Sequence, residues 1–173
     1  MIGLGNKNAS LHVYIENIPP LAMYQELTQV KAMKKGDIKM IADLTGNHWR
    51  KIFNVFAKLL FELQPQHYPT WQALRDEHLL QANSDQLLLF SPPVQNNKPT
   101  NNQPKTKQSN IITIIMGKTY ANKLGLAEQA LWLNEFFAIN KTTNTIVCPY
   151  FDYRQLSNIK ISQLANLIKK LTC

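Results

Sequence analysis

The sequence has few of the residues that build disulfide frameworks and metal centres. Its two cysteines are Cys148, inside an apolar run, and Cys173, and their separation fits no metal or redox motif. Its four histidines show no HxH or HxxxH spacing, so a histidine metal site has little support. The sequence therefore predicts a protein that needs no metal or cofactor and lies in a reducing cytoplasm.

Long apolar runs are also lacking. The longest, Leu87–Phe90 and Ile111–Met116, are far shorter than the roughly 20 residues that a membrane-spanning helix needs. The N-terminal stretch MIGLGNKNAS has neither the basic start nor the apolar core of a secretory signal. We therefore expect no membrane association and a cytoplasmic location.

Acidic residues are scarce relative to basic ones. Eleven Asp and Glu against nineteen Lys and Arg give a net charge of +8. Residues 1–60 carry eight basic and four acidic residues, and residues 111–173 carry seven and three, so the excess is not confined to a tail. Such a charge favours nucleic acid or another polyanion as a partner. A basic protein whose charge serves only solubility would show the same balance.

Four segments have the composition of β-strands, and they alternate with helical patterns. Leu11–Ile15 alternates briefly between apolar and polar residues and is rich in β formers, and the other three are mostly apolar runs: Gln86–Phe90, Ile111–Met116 and Thr145–Cys148. Uninterrupted apolar strands are typical of a parallel sheet that is covered on both faces. We therefore predict a single α/β domain over residues 1–173, built as a three-layer, mainly parallel four-stranded sheet flanked by helices.

Helical periodicity predicts the elements between these strands. The clearest is Asn47–Gln64, in which Trp, Phe, Ile and Leu form one wide apolar face. Shorter helical patterns cover residues 21–35, 71–80, 118–126 and 161–171, whereas residues 131–139 fit either a short helix or a strand. Residues 94–110 consist almost entirely of Asn, Gln, Lys, Pro, Thr and Ser, which predicts a mobile polar loop at about 94–110.

A Gly-Lys-Thr sequence follows the third predicted strand. A P-loop would need an earlier glycine, but Ile112 occupies that position, so the phosphate-wrapping loop is missing. What remains is a helix start with Lys118 and Thr119, whose free backbone amides suit a phosphate. A tight strand-to-helix turn with a solvated lysine would explain the same residues.

The loop after the fourth predicted strand has an unusual composition. Ligands of parallel sheets bind beyond the carboxyl ends of the strands, and there Tyr150, Phe151, Asp152, Tyr153 and Arg154 replace the Gly, Asn and Ser of a solvated turn. The rings would stack a base, Arg154 would contact a phosphate, and Asp152 would position Arg154 or accept from a base edge. Alternatively, the turn is an aromatic corner over the sheet end, held by an Asp152–Arg154 or backbone interaction.

Four loop motifs follow the strands in a recognisable order. They read ENIPPL after the first strand, LLLFSPPVQNNKP at the second, ITIIMGKTYANKLGL at the third and TIVCPYFDYRQLSN at the fourth. In this order they resemble the uracil-DNA glycosylase-like proteins, whose four parallel strands precede a Gly-x-x-Pro or Gly-x-Asn-Pro-Gly loop, a Pro-rich segment, a Leu-Gly-x-x-Ala turn and a His/Asn-Pro-Ser loop. The resemblance covers most of the chain from residue 11 onward and implies a DNA-facing crevice.

The residues that perform the family's reaction are not matched. Glu16 replaces the glycine that lets the backbone approach the base, and Ile18 stands where related mismatch-specific enzymes use an activating Asn. The fourth motif has residues 150–154 in place of His-Pro-Ser. Asn17 is a candidate for a shifted activating residue. The resemblance therefore implies the scaffold and the crevice without the standard glycosylase chemistry.

The sequence thus predicts an α/β protein that binds nucleic acid or a nucleotide in a uracil-DNA glycosylase-like crevice and lacks standard glycosylase catalysis. The predicted ligand-binding residues are Asn17, Pro19, Lys118, Thr119, Tyr150, Asp152, Tyr153 and Arg154. Two alternatives stay open: an active DNA glycosylase with altered motifs, and a protein–protein interaction module that uses the basic surface and the polar loop.

Overall fold

The computed structural model describes residues 1–65, 67–94 and 110–172. The strands of this part of the chain are β1 (Gly3–Gly5), β2 (Leu11–Tyr14), β3 (Val30–Lys31), β4 (Gln86–Leu89), β5 (Ile112–Met116), β6 (Leu131–Trp132), β7 (Ala138–Asn140) and β8 (Thr145–Cys148). The helices are α1 (Ala22–Gln25), α2 (Asp37–Thr45), α3 (Asn47–Leu63), α4 (Trp71–Glu77), α5 (Lys118–Lys123) and α6 (Asn158–Thr172). The predicted mobile loop at about 94–110 falls on residues 95–109, which lie outside the described residues.

The strands form one mixed sheet in the order β3-β1-β4-β2-β5-β8-β7-β6. Its centre, β4-β2-β5-β8, is entirely parallel and consists of the four strands that the sequence predicts. On one side β1 runs antiparallel to β4 and pairs with β3 in parallel, and on the other side β7 and β6 continue the sheet antiparallel.

The prediction of a four-stranded sheet is therefore wrong, because the described part of the chain has eight strands, with parallel and antiparallel pairs. The four additional strands are only two or three residues long, too short for an alternation pattern to appear. The α/β class itself is as predicted.

One further segment differs from the pattern-based prediction. The pattern predicts one helix over residues 21–35, but the chain forms only the short α1 and then β3, which pairs with β1 at the sheet edge. Here pairing with an existing strand outweighs a weak helical periodicity. Residues 131–139, whose pattern fits either a short helix or a strand, form strand β6 and the start of β7.

The side chains of the central strands alternate between two hydrophobic layers. Val13, Leu88, Ile114 and Ile146 lie in the larger core with α3 and α6. Their neighbours along the same strands, such as Leu87 and Ile115, lie in a smaller cluster with Tyr120 of α5. The parallel centre is thus buried on both faces, which explains its uninterrupted apolar sequence.

Helix α3 supplies the largest side chains of the larger core. Trp49, Phe53 and Phe56 are at most 1% exposed, and the ring of Trp49 meets the edge of Phe90 just beyond β4. The helix begins directly after Gly46, whose φ of 84° lies in the left-handed region and separates α3 from α2. Among the described residues no helix is long and apolar enough to span a membrane.

The buried histidine of β2 gives the stability a pH dependence. His12 is 7% exposed, with Nε2 3.0 Å from the Ala9 carbonyl oxygen, and burial lowers its pKa despite opposing contributions from Ala9 and Asp85. Burial also lowers the pKa of His78, and the nearby His67 adds to this effect. As pH falls below about 6.5, the unfolded chain takes up protons that the folded chain resists, so stability is lost.

We therefore expect the melting temperature to fall between pH 7.5 and pH 5.5, a range above the titration of ordinary carboxylates. His12→Gln keeps a hydrogen-bonding group but removes one titration, so the variant should show a weaker pH dependence. An equally steep decline in the variant would exclude His12 as a source of the effect.

Candidate functional site

The strand order opens a crevice at one end of the sheet. In chain order the central strands are β2, β4, β5 and β8, whereas in the sheet β2 lies between β4 and β5. After β2 the chain therefore forms β4 on one side of β2 and then returns to form β5 on its other side. The loops that follow β2 and β5 therefore diverge. Such a switch point, at the carboxyl ends of parallel strands, is where open α/β sheets bind ligands.

A cavity of about 440 Å³ lies at this switch point. Residues that directly follow β2, β5 and β8 line it: Glu16, Asn17, Lys118, Thr119, Pro149 and Tyr150. Glu135, Phe136 and Gln155 complete its wall. Four predicted ligand-binding residues, Asn17, Lys118, Thr119 and Tyr150, are thus brought together. We call this cavity the crevice.

Gly117 shapes the turn that follows β5, beside the turn that follows β8. Its φ of 99° lies in the left-handed region, which side chains other than glycine rarely adopt. A Cβ atom there would lie 3.7 Å from the ring of Tyr150, so the turn after β5 runs directly beside the turn after β8. The glycine of the Gly-Lys-Thr sequence therefore serves this turn.

Tyr150 is at the centre of a chain of polar contacts at the crevice. Its hydroxyl donates to Asn17 Oδ1 at 3.1 Å, and His48 Nε2 lies 2.9 Å from the same hydroxyl oxygen. The Tyr150 and His48 rings stack with their centroids 5.7 Å apart and their planes 19° apart. Burial, together with the charges of Asp152 and Glu16, raises the pKa of Tyr150, which keeps the hydroxyl protonated as a donor.

His48 is a site residue that the sequence analysis missed. It lies in the first turn of α3, where a polar residue is expected merely because the helix start is exposed. His48 and Tyr150 are 102 residues apart in the chain, and they become neighbours only because α3 packs next to the β8 turn in the folded protein. No local pattern carries that information.

The middle of the β8 turn is architectural. Phe151 is fully buried and packs edge to face on Phe56, with ring centroids 5.6 Å apart, so it is not available to stack a ligand. Asp152 Oδ1 accepts from the Arg154 backbone amide at 2.9 Å, and its Oδ2 accepts from Lys51 Nζ at 3.2 Å. The backbone hydrogen bond from Arg154, with the Lys51 contacts as further causes, lowers the pKa of Asp152.

The outer part of the same turn forms an exposed aromatic surface. Tyr153 is 54% exposed, with Lys51 Nζ 5.0 Å and the Arg154 guanidinium carbon 5.7 Å from its ring centroid. Both distances are within the range of a cation–π contact. We call Lys51, Tyr153 and Arg154 the cationic platform. Tyr153 and Arg154 lie on the turn whose Tyr150 and Gln155 line the crevice, and Lys51 reaches this turn from α3.

The remaining predicted residues are placed differently. Pro19 is buried and does not line the crevice; its carbonyl accepts from the Leu21 amide at 2.7 Å and shapes the loop before α1. Lys118 and Thr119 are exposed on the first turn of α5, with Lys118 Nζ 4.5 Å from the ring centroid of Trp132. At the Gly-Lys-Thr sequence the structure therefore has a tight turn with a solvent-exposed lysine, Lys118.

The crevice is not strongly basic. The crevice lining contains one lysine, Lys118, and two carboxylates, Glu16 and Glu135. Glu16 also forms an ion pair with Lys123. Within the described ranges, no group of three or more His, Cys, Asp or Glu is arranged to hold a metal ion. The crevice therefore offers an aromatic ring, amides and hydroxyls to a ligand, while the exposed cations lie at its side.

The chain belongs to a family of unknown function, DUF6942, whose sequence profile matches residues 2–169. No curated protein and no solved structure shows significant similarity to it. The family match does not bear on the resemblance to uracil-DNA glycosylase-like proteins, which stays a prediction.

Two truncations distinguish the buried part of the β8 turn, Phe151, from its exposed part, Tyr153. Phe151→Ala should lower the free energy of unfolding by about 3–5 kcal/mol, because it leaves a cavity in a core that cannot fully collapse. Tyr153→Ala, two residues away, should change it by less than about 1 kcal/mol, since more than half of that side chain is already in water. Urea unfolding of both variants measures the difference. Equal destabilisation would mean that Tyr153 is also part of the core.

Proposed function

We propose that the protein binds a nucleic acid strand or a nucleotide at the crevice, with a base held in the crevice and phosphates on the cationic platform. The observation that supports this most directly is that residues from the β2, β5 and β8 loops line one cavity at the switch point of the sheet. A cavity of about 440 Å³ lies within the size range of small-molecule sites.

The lining chemistry favours the base over the phosphate inside the crevice. Glu16 and Glu135 would repel a phosphate, whereas the Asn17 amide, the Thr119 hydroxyl and Gln155 can hydrogen-bond to the edge of a base. The ring of Tyr150 is held by the His48 stack and by its hydrogen bond to Asn17. A rigid, polar-edged cavity of this kind suits a flat ligand with several donors and acceptors.

The platform favours an adjacent phosphate chain. An exposed tyrosine flanked by a lysine and an arginine combines a stacking surface with two cations, which is how single strands are bound without sequence preference. Asp152 neutralises part of the Lys51 charge, so Arg154 carries most of the uncompensated charge of the platform. The net charge of +8 would add long-range attraction for a polyanion.

Arg154→Ala and Tyr153→Ala should each weaken binding of a single-stranded oligonucleotide about fivefold or more, because one removes a phosphate contact and the other a stacking surface. The melting temperature should stay nearly unchanged, since both side chains are exposed. Fluorescence anisotropy at about 50 mM salt measures the affinity, which should fall steeply as salt is raised.

The matched control is Lys141→Ala, which removes one exposed positive charge from the turn between β7 and β8. Its affinity should stay close to that of the unaltered chain. An equal loss in the control would mean that only the overall charge is felt. Absence of any binding at low salt would remove nucleic acid as the ligand.

A second candidate, an active DNA glycosylase with altered motifs, is favoured by one observation. Asn17 lines the crevice, and its Oδ1 accepts from Tyr150 but keeps a second lone pair that can accept a hydrogen bond from a water, while its amide nitrogen can donate to a ligand. In the family that the sequence resembles, an Asn in this loop activates the water. Here it would act one position away from the expected one, beside Glu16.

Because the standard residues are absent, we expect no uracil release from a uracil-containing oligonucleotide. Gel analysis after alkaline cleavage, compared with a preparation from cells that carry an empty vector, measures the activity. Release above that background that is lost in Asn17→Ala would establish the second candidate instead. The Asn17→Ala variant is informative because Asn17 is exposed and its loss should not unfold the chain.

A further inference from the structure

A second cavity, of about 500 Å³, lies away from the crevice between α2, α3 and α4. Five cationic side chains line it: Lys34, Lys35, Lys39, Arg50 and Arg75. Two carboxylates, Asp43 and Asp76, also lie in its wall, which leaves an excess of three positive charges. We call it the basic cavity. It shares no lining residue with the crevice.

Neutral side chains help to hold the two arginines of the basic cavity in place. Arg75 Nη1 donates to Asn54 Oδ1 at 2.6 Å, and its guanidinium carbon lies 5.5 Å from the ring centroid of Trp71. Arg50 Nη1 donates to Asn47 Oδ1 at 2.7 Å. A neutral amide orients a guanidinium but leaves its positive charge for a ligand, and a guanidinium has five donors to share.

The two acids of the cavity cancel only part of its positive charge. Asp76 forms a bidentate ion pair with Arg75, accepting from Nε and Nη2 at 2.7 and 3.1 Å, which neutralises that arginine but leaves N–H groups on Nη1 and Nη2 that can donate to a ligand. Asp43 pairs with Lys39 and lies 3.7 Å from Arg50. Within the described ranges, the ammonium groups of Lys34 and Lys35 form no ion pair, and both side chains are exposed at the cavity.

The floor of the basic cavity is apolar. Ile38 and Ala42 of α2 and Phe53 of α3 line it and are themselves buried. A ligand that matches both parts has an anionic end and a group with an apolar face. Since the excess is three charges, a phosphate ester with two or more negative charges fits better than a carboxylate with one.

We propose that the basic cavity is a binding site for a small phosphorylated molecule, such as a nucleoside diphosphate, with its phosphates on Arg50, Arg75 and the two free lysines. Its apolar or aromatic part lies against the apolar floor at Ile38 and Ala42. The site is independent of the crevice, because α3 presents Arg50 and Asn54 to the basic cavity and His48 and Lys51 to the β8 turn.

Calorimetric titration with ADP, inorganic pyrophosphate and adenosine tests the ligand class. ADP should bind more tightly than pyrophosphate, and adenosine more weakly than both, because only ADP engages both the cations and the apolar floor. Arg50→Gln and Lys35→Gln should each weaken ADP binding about tenfold, the effect of one charge-assisted hydrogen bond. Lys141→Gln, which removes an exposed charge elsewhere, should leave the affinity within about twofold.

The location is tested on the unaltered chain, so it does not depend on the variants being folded. In NMR spectra, pyrophosphate should shift the Nε–Hε resonances of Arg50 and Arg75, while the Tyr150 ring resonances stay in place. Shifts confined to Tyr150 and its neighbours would overturn the proposal. So would an equal loss of affinity in Lys141→Gln, or no saturable binding of ADP or pyrophosphate up to about 10 mM.

Discussion

Burial of the apolar face of α3 is the interaction on which the rest of the structure depends. Trp49, Phe53 and Phe56 are almost fully removed from water and share one core with Val13 and Ile114 of the central strands. Burying a side chain of this kind contributes about 1.5–3 kcal/mol. The contacts of Trp49 with Phe90 and of Phe56 with Phe151 join the helix to the carboxyl ends of β4 and β8, and the β8 turn is one of the loops that line the crevice.

This packing explains why the β8 turn can be both rigid and exposed. Phe151 anchors it from below, and Asp152 closes it through the Arg154 amide and Lys51 of α3. Tyr150, which precedes these anchoring residues, lines the crevice. Tyr153, which follows Asp152, is exposed to solvent. The architectural interpretation of this turn thus holds for Phe151 and Asp152, and ligand contact stays our proposal for Tyr150, Tyr153 and Arg154.

The parallel centre of the sheet was predictable because each of its strands is an apolar run buried on both faces. The edge strands were not, since two or three residues such as Val30 and Lys31 carry no periodic pattern, and their conformation depends on pairing with β1. For the crevice, the rule on carboxyl ends identified Asn17, Lys118, Thr119 and Tyr150. It could not identify His48, whose contact with Tyr150 depends on how α3 packs across the sheet.

The sequence could not predict how the charged side chains are distributed between the two cavities. In the sequence, the excess of basic residues is spread over both halves of the chain. The aromatic turn after the fourth predicted strand is then the predicted contact for a polyanion. In the folded chain the crevice lining contains more carboxylates than lysines, while five cations surround the basic cavity. In our proposal, recognition in the crevice therefore depends on ring contacts and hydrogen bonds, which salt screens little. The proposed attraction for phosphate then depends on the cationic platform or on the basic cavity at another face of α3.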